Sequence, residues 1–307
     1  MNMGNFGSKK TTEWSPAQYF DVQRADDDKP FALLILNQEI TDLAMLENLW
    51  NNSVFRVCAD GGANRLYNAL RAGPDRESML PDAIVGDLDS LLVHVWTFYE
   101  SRGVKVIKDA DQDSTDFGKC LSYISRHSAL QPPDFTETHD ALDSWRGVKV
   151  SATHSQLAVV ALGGFGGRVD HSLHSIHALY VASAAVKASS TRRELLLVSP
   201  QNITFLLEPG KNIIHTPRSF LGKTCGILPI GQPSIITTRG FEWDLKGQET
   251  RFGGLMSTSN HLNADTVEVE TSESVVFTVE IRTEALSITD GGEDVFWVQP
   301  PVRSDTV

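Results

Sequence analysis

Four aspartates at two nearby points of the chain raise the first question of chemistry. Asp87 and Asp89 close the stretch PDAIVGDLDS, and Asp113 and Asp116 lie in KDADQDSTDF, a few turns of chain further on. Each pair follows an apolar run of strand type, so two strand tips would deliver four carboxylates to one edge of a sheet. Two like charges about 4 Å apart repel by roughly 4 kcal/mol at an effective dielectric of about 20. Such a cluster is tolerable mainly where a cation sits among the oxygens. Hard divalent ions take carboxylate oxygens, and Mg²⁺ is usually held by one or two carboxylates together with substrate phosphates. Pro81 to Phe117 is therefore expected to be a metal and phosphate site. A single Asp after a strand is equally a turn or cap residue; it is the pairing at successive strand ends that favours the metal.

Two more strand ends carry the same character. One runs Ala59-Asp60-Gly61-Gly62-Ala63-Asn64, the other Gly163-Gly164-Phe165-Gly166-Gly167-Arg168-Val169-Asp170-His171. The glycines of GGFGGR let a backbone approach a phosphate and point its N–H groups at it, and a helix starting just after adds a positive dipole. Arg168 would make a paired contact with phosphate oxygens. The plainer alternative is a flexible turn with a surface arginine. No G-x-x-x-x-G-K-[ST] is present, which disfavours a P-loop kinase. His171, His174 and His177 step around the helix by threes, and imidazole suits zinc or copper better than an oxygen-rich site, so ordinary partly buried histidines are expected.

These strand ends need strands behind them. FALLILN from Phe31 is a continuous apolar run, as for a strand buried on both faces. A helix capped by Thr41 follows, with Leu43, Leu46, Leu49 and Trp50 on one side. FRVCADGG, DAIVGD, VKVIKDA, LAVVALGG and ELLLVS are the next strands. Helices over Ala63–Arg71, Leu91–Ser101, Ser114–Arg126 (capped by Asp113 or Ser114) and His171–Ala188 lie between them. Regular alternation implies a mainly parallel α/β sheet with helices on both faces. Residues 131–156, rich in Pro, Asp, Ser and Thr, are expected to be an inserted loop. After Asn202 the segments become short, β-branched and separated by Gly, Pro or Asn, which predicts an all-β sandwich or barrel. Within it Phe241, Trp243 and Leu245 alternate along FEWDL, giving one aromatic and apolar face. That face is either core or a stacking platform for a cationic ring. The expected division is an extension over 1–29, an α/β domain over 30–200, a β domain over 201–289 and a tail over 290–307.

Composition narrows the classes. The net charge of -12 argues against a nucleic-acid binder. No apolar run reaches the length of a membrane span, and no apolar signal core follows the first lysines. Cys58, Cys120 and Cys225 are odd in number and far apart, so reduced thiols of a cytoplasmic protein are expected.

With those residues in view, the chain resembles the eukaryotic thiamine pyrophosphokinases. The matching segments are ADGGANRLY, PDAIVGDLDS, DQDSTDFGKCL, LGGFGGRVDH, LLEPGK, CGILPIGQP and GFEWDL followed by FGGLMSTSN, spread over most of residues 31–281. The resemblance implies a Rossmann-like α/β domain followed by a β-sandwich, and transfer of diphosphate from ATP to the hydroxyl of thiamine, giving AMP. It also implies dependence on Mg²⁺ and a homodimer with the site between subunits. It assigns the metal to Asp87, Asp89 and Asp116, with Asp60 and Asp113 as further candidates. Asp87 or Asp116 would take the hydroxyl proton, and Arg168 would stabilise developing charge. Asp60, Gly61, Gly62, Asn64, Gln112, Asp113, Thr115, Gly164, Arg168, Asp170 and His171 would line the nucleotide and its phosphates. Trp243, Ser257, Ser259 and Asn260 would receive thiamine, Trp243 by stacking. Two rivals stay open at this point: a metal-dependent nucleotide phosphohydrolase, and a nucleotide or thiamine binder without turnover.

Overall fold

A computed structural model of the chain describes residues 11–21, 29–111, 113–128, 157–189 and 194–282. The expected insertion at 131–156, the tail at 290–307 and Gln112 lie outside these residues. In chain order the elements are β1 (Thr11–Trp14), β2 (Phe31–Ile35), α1 (Leu43–Asn52), β3 (Phe55–Ala59), α2 (Gly62–Ala69), α3 (Pro74–Ser78), β4 (Ala83–Gly86), α4 (Val93–Glu100), β5 (Lys105–Lys108) and α5 (Asp116–Ser128). They continue with β6 (Ala158–Leu162), α6 (Val169–Ser189), β7 (Leu195–Val198), β8 (Asn202–Leu207), β9 (Gly210–His215), β10 (Leu221–Leu228), β11 (Ser234–Arg239), β12 (Gln248–Thr250), β13 (Ser257–His261), β14 (Thr266–Thr271) and β15 (Val275–Ile281).

One sheet of ten strands runs β13-β10-β15-β8-β7-β6-β2-β3-β4-β5. From β7 to β5 every pairing is parallel, and from β7 to β13 every pairing is antiparallel. The continuous apolar run in β2 is explained by its two faces. Leu33 and Ile35 join one buried cluster with α1, α2 and α4, while Ala32 and Leu34 join the other with α5 and α6. Chain order moves outward from β2 in one direction through β3, β4 and β5, and in the other from β6 to β7. The direction of winding therefore reverses between β2 and β6, the place where α/β sheets open a crevice at their carboxyl ends.

A second sheet, β1-β9-β14-β11-β12, packs on the antiparallel half of the first. Phe205 and Phe277 of the large sheet share a core with Ile214, Ile236, Val267 and Val269 of the small one. The sandwich is thus built partly from strands of the same sheet that carries the α/β unit. The boundary expected at residue 201 falls in the turn between β7 and β8, two strands that pair with each other.

Three local expectations are corrected. The N-terminal stretch holds an element: β1 pairs in parallel with β9. Trp14 is buried, packs at 4.8 Å against Phe205 with the rings tilted by 36°, and donates to Asn212 Oδ1 at 3.0 Å, and Tyr19 and Phe20 are buried as well. Thr11 and Glu13 are the exposed alternate positions of an edge strand, while Thr12 is buried on the same side as Trp14, so three polar residues out of four mask the strand. Second, Asp42 rather than Thr41 caps α1, accepting from the Met45 N–H at 2.9 Å. Third, Thr115 rather than Asp113 or Ser114 stands at the head of α5, its hydroxyl taking the Gly118 N–H at 3.3 Å.

Candidate active site

The carboxylates gather at the carboxyl ends of β3 and β4 and the start of α5. Asp60, Asp87 and Asp116 offer oxygens that all lie within 4.8 Å of one another. Gly86 permits this approach, since a Cβ there would stand 2.7 Å from Asp60 Cβ and 3.0 Å from Asp116 Oδ1. Asp116 Oδ1 also accepts from the Asp87 N–H at 3.2 Å, tying α5 to the end of β4. Asp60 and Leu88 hold positive φ of 39° and 67°, a conformation that costs non-glycine residues about 1–3 kcal/mol and clusters at functional sites.

Asp60 is the most telling member. It is 1% exposed. Its Oδ2 accepts from the Ser90 N–H at 3.0 Å, but its Oδ1 is buried without a hydrogen-bond partner. Burial pushes its carboxyl up to about 6, with the charges of Asp116, Asp89 and Asp87 adding to the rise against the Ser90 hydrogen bond. A buried carboxylate oxygen left unpaired beside two further carboxylates fits a hard cation, and the all-oxygen donor set fits Mg²⁺.

Asp89 stands outside this trio. It is exposed at the rim, its N–H donates to Asp87 Oδ1 at 3.2 Å and its Oδ1 accepts from the Ser90 hydroxyl at 3.0 Å. Asp60, a further candidate from the sequence, brings an oxygen to Asp87 and Asp116, whereas Asp89 does not join that group. Asp113 is likewise exposed, donating its N–H to Asp111 Oδ1 at 2.9 Å. Among the described residues, the carboxylates whose oxygens converge are therefore those of Asp60, Asp87 and Asp116.

A cleft of about 380 Å³ opens beside the trio, reaching from Asp87, Thr115 and Asp116 to Gly163, Gly164, Arg168, His171 and His174. It lies at the reversal of winding, with Asn37 and Gln38 after β2 forming its floor. Gly163, Gly166 and Gly167 have φ of 87°, 123° and 60°. A Cβ at Gly164 would stand 2.9 Å from Leu197 Cβ, so the loop can lie this low only as glycine. The helix α6 begins two residues after the loop. Arg168 and Asp170 are both exposed and form a two-point pair, Nη2 to Oδ2 at 2.6 Å and Nε to Oδ1 at 3.1 Å. This pair holds the Asp170 carboxyl below its ordinary range.

Several residues expected at the nucleotide act on the scaffold. Asn64 donates to the Ser90 carbonyl at 2.7 Å and accepts from the Leu92 N–H at 3.1 Å, pinning the loop that carries Asp87 and Asp89. Gly62 is required by packing, since its Cβ would sit 2.3 Å from the Ile35 carbonyl oxygen. Gly61 faces Asn37 and lines the cleft.

One residue, Lys119, escaped the sequence argument, and another, His174, was expected only as a partly buried histidine. Lys119, 3% exposed, points its ammonium at Asp116 Oδ1 (3.4 Å) and Asp87 Oδ2 (3.8 Å). The signal was there, three residues after Asp116 and hence on the same helix face. His174 lies on α6 with Nε2 2.8 Å from the Thr115 hydroxyl. Burial, with His177 and His171 nearby, holds it below the usual imidazole range. Among the described residues, no histidine joins the carboxylate trio.

The second candidate region lies on β13 and the loop before β12. FEWDL is a bend and not a strand. Phe241 bridges to Leu262 and is buried, while Trp243 is 55% exposed. The two therefore do not share a face, and the core alternative for Trp243 does not hold. His261 sits against the indole at 5.2 Å, its Nδ1 2.6 Å from Glu242 Oε2. Asn260 is buried and bonded within the protein. Its amide accepts from the Trp243 N–H at 3.2 Å and donates to the Trp243 carbonyl at 3.0 Å and the Ser257 hydroxyl at 3.2 Å. These bonds tie β13 to the backbone of Trp243. Ser259 is exposed, with a positive φ of 54°.

Both regions lie within stretches of the chain that match known proteins. The family model for the thiamin pyrophosphokinase catalytic domain matches residues 46–189, and that for the thiamin pyrophosphokinase vitamin B1 binding domain matches 211–276. Thiamine pyrophosphokinase 1 of Arabidopsis thaliana is 38% identical over 85% of this chain and 90% of its own length. Thiamine pyrophosphokinase of Saccharomyces cerevisiae is 32% identical over 85% of this chain and 88% of its own. Among solved structures, yeast thiamin pyrophosphokinase superposes with a TM-score of 0.75 at 30% identity, covering 91% of this chain and 94% of that one. Two carboxylate-bearing strand ends, a glycine loop and an exposed tryptophan thus occur within the segments that these models match, and the chain belongs to the thiamin pyrophosphokinase family.

Proposed function

We propose that this chain transfers the terminal diphosphate of ATP to the hydroxyl of thiamine, releasing AMP. The observation that carries the chemistry is the unpaired buried oxygen of Asp60 beside Asp87 and Asp116, two carboxylates that line the same cleft as Gly163, Gly164 and Arg168. In this reading those three carboxylates hold Mg²⁺, which supplies charge compensation to the phosphate oxygens when bound. The residues do the positioning. The Gly163–Gly167 amides and the start of α6 receive phosphate, and Arg168 exchanges its pairing with Asp170 for a phosphate oxygen as charge develops. The thiamine hydroxyl oxygen bonds to the middle phosphorus, the bond from that phosphorus to the bridging oxygen of AMP breaks, and Asp87 or Asp116 takes the hydroxyl proton. Thr115, Asp170 and His171 border the nucleotide. Trp243 stacks on a ring of thiamine, with Ser257 and Ser259 as polar neighbours.

The topology supports a homodimer. The Asp87 strand, β4, and the Ser257 strand, β13, are eight strand spacings apart in one sheet, roughly 38 Å at about 4.8 Å each. Thiamine on Trp243 cannot meet a phosphate at Asp87 of the same sheet, so the two halves meet when the β domain of one protomer faces the α/β domain of another. Three cysteines, buried and free, fit the reducing cytoplasm. No helix of the described residues is long and apolar enough to cross a membrane.

Incubation with ATP, Mg²⁺ and thiamine tests this directly, with AMP and thiamine diphosphate separated by HPLC. Both products should appear together and depend on thiamine. AMP formed equally fast without thiamine would make the chain a phosphohydrolase, and ligand binding with no product at any metal concentration would make it a binding module.

A further inference from the structure

A lysine does not enter a protein interior for packing alone, because burying an ammonium is costly unless it is paired. Lys119 is 2% exposed at its side chain, and both ion pairs that Asp87 and Asp116 make among the described residues go to it. Helical spacing fixes the arrangement, since Lys119 and Asp116 are three residues apart on α5. Asp87 then comes from a different element, the end of β4, so the ammonium bridges the helix and the sheet. Three ionised carboxylates and one ammonium leave two negative charges, which is what one divalent ion neutralises.

We propose that Lys119 is a built-in counter-cation of the carboxylate cluster, which holds Asp87 and Asp116 together before a divalent ion arrives and weakens that ion's binding by repelling it. The inference rests on the metal reading above and adds a residue that tunes affinity without being a ligand. Two consequences have opposite signs on the same substitution, and a merely structural lysine would not produce both. Without the charge, the metal-free cluster is three like charges with nothing between them, so the protein is less stable. Without the charge, an incoming cation is no longer repelled, so it binds more tightly.

The test uses the full chain and its Lys119→Met variant, which keeps the aliphatic stem, titrated calorimetrically with MgCl₂ and with MnCl₂ in the absence of nucleotide and melted with and without each salt. The variant should melt lower in the metal-free buffer, bind the ion more tightly by roughly tenfold, the scale set by one unit charge close to a divalent ion in a partly solvated site, and gain more in melting temperature from the salt than the parent. Lys119→Arg, which keeps the charge, should stay near the parental affinity. Equal or weaker affinity in Lys119→Met, or an unchanged metal-free melting temperature, overturns the inference alone. A parent that binds neither ion removes the metal site and the inference with it. If Lys119→Met does not fold, Lys119→Gln repeats the measurement. Recovery of either neutral variant only in saturating Mg²⁺ supports the proposal, and failure of both to fold even then reduces Lys119 to a structural residue and overturns it.

Discussion

The two ends of the large sheet are prepared for ligands in opposite ways. At the β4 end the polar groups are crowded and incomplete, with like charges in contact and one buried oxygen without a partner. At the β13 end the polar groups are complete: Asn260 spends its amide on the backbone of Trp243 and on Ser257, and the indole is left open to solvent. The first region crowds acceptors around a buried oxygen that has no hydrogen-bond partner, and the second leaves an aromatic face open to solvent. Both carry backbone strain, for Asp60, Leu88 and Ser259 are the non-glycine residues with positive φ among those described, and all three belong to one region or the other. Strain concentrated at just these places is the pattern expected where geometry serves a ligand and not the core.

The largest effect should come from breaking the crowded end. Asp87→Asn or Asp116→Asn should lower turnover by at least about tenfold, equivalent to about 1.4 kcal/mol in the barrier, with circular dichroism unchanged. Near-parental turnover in either variant would remove that residue from the metal shell. Asp60→Asn sharpens the same comparison, since the cost of a buried charge disappears while the ligand is lost. Activity should fall about as far, yet the metal-free protein should melt no lower than the parent. A clear drop in melting temperature would mean that the Asp60 carboxylate serves the fold.

The difference between the two ends also explains what the sequence made legible. Strand tips after apolar runs are read easily, so the edge carrying Asp60, Asp87, Asp116 and the glycine loop was visible residue by residue. Which of the carboxylates converge was not. Asp60 is buried and Asp89 exposed, and both loops carry a positive φ, at Asp60 and at Leu88; a leucine side chain gives no sign of such a backbone angle. Lys119 stayed hidden because a charged residue on an amphipathic helix is normally solvent-facing. The sandwich was legible as short β-branched runs, but its sharing of one sheet with the α/β unit was not, since register and partner are set by contacts far apart in the chain. The same holds for β1, whose partner β9 lies some two hundred residues away. FEWDL shows the limit of alternation, because a bend and a strand can share the same spacing of apolar residues.

At the open end the expected effects are smaller and selective. Trp243→Ala should raise KM for thiamine by about 2- to 30-fold, the range of a cation–π contact of about 0.5–2 kcal/mol, with KM for ATP nearly unchanged. The melting temperature should move little, because more than half of the side chain is already exposed. Equal loss for both substrates with a lower melting temperature would mean that the indole supports the scaffold, and the contrast between the two ends would fail.

The smallest effect separates strain from contact at Ser259. Its φ of 54° is a conformation that glycine adopts without the steric cost borne by a side chain. If the strain exists only to shape the strand, Ser259→Gly relieves it and leaves thiamine use as it was. If the hydroxyl is aimed at the ligand, the same substitution should leave stability equal or slightly higher while KM for thiamine rises by a few-fold, on the scale of one neutral hydrogen bond, about 0.5–1.5 kcal/mol. Opposite movement of the two measurements is the expected result, since an exposed serine at a strained position of β13 adds little to the fold. A fall in stability together with weaker thiamine use would show that the serine stabilises the strand, leaving Trp243 to carry recognition at this end with Ser257.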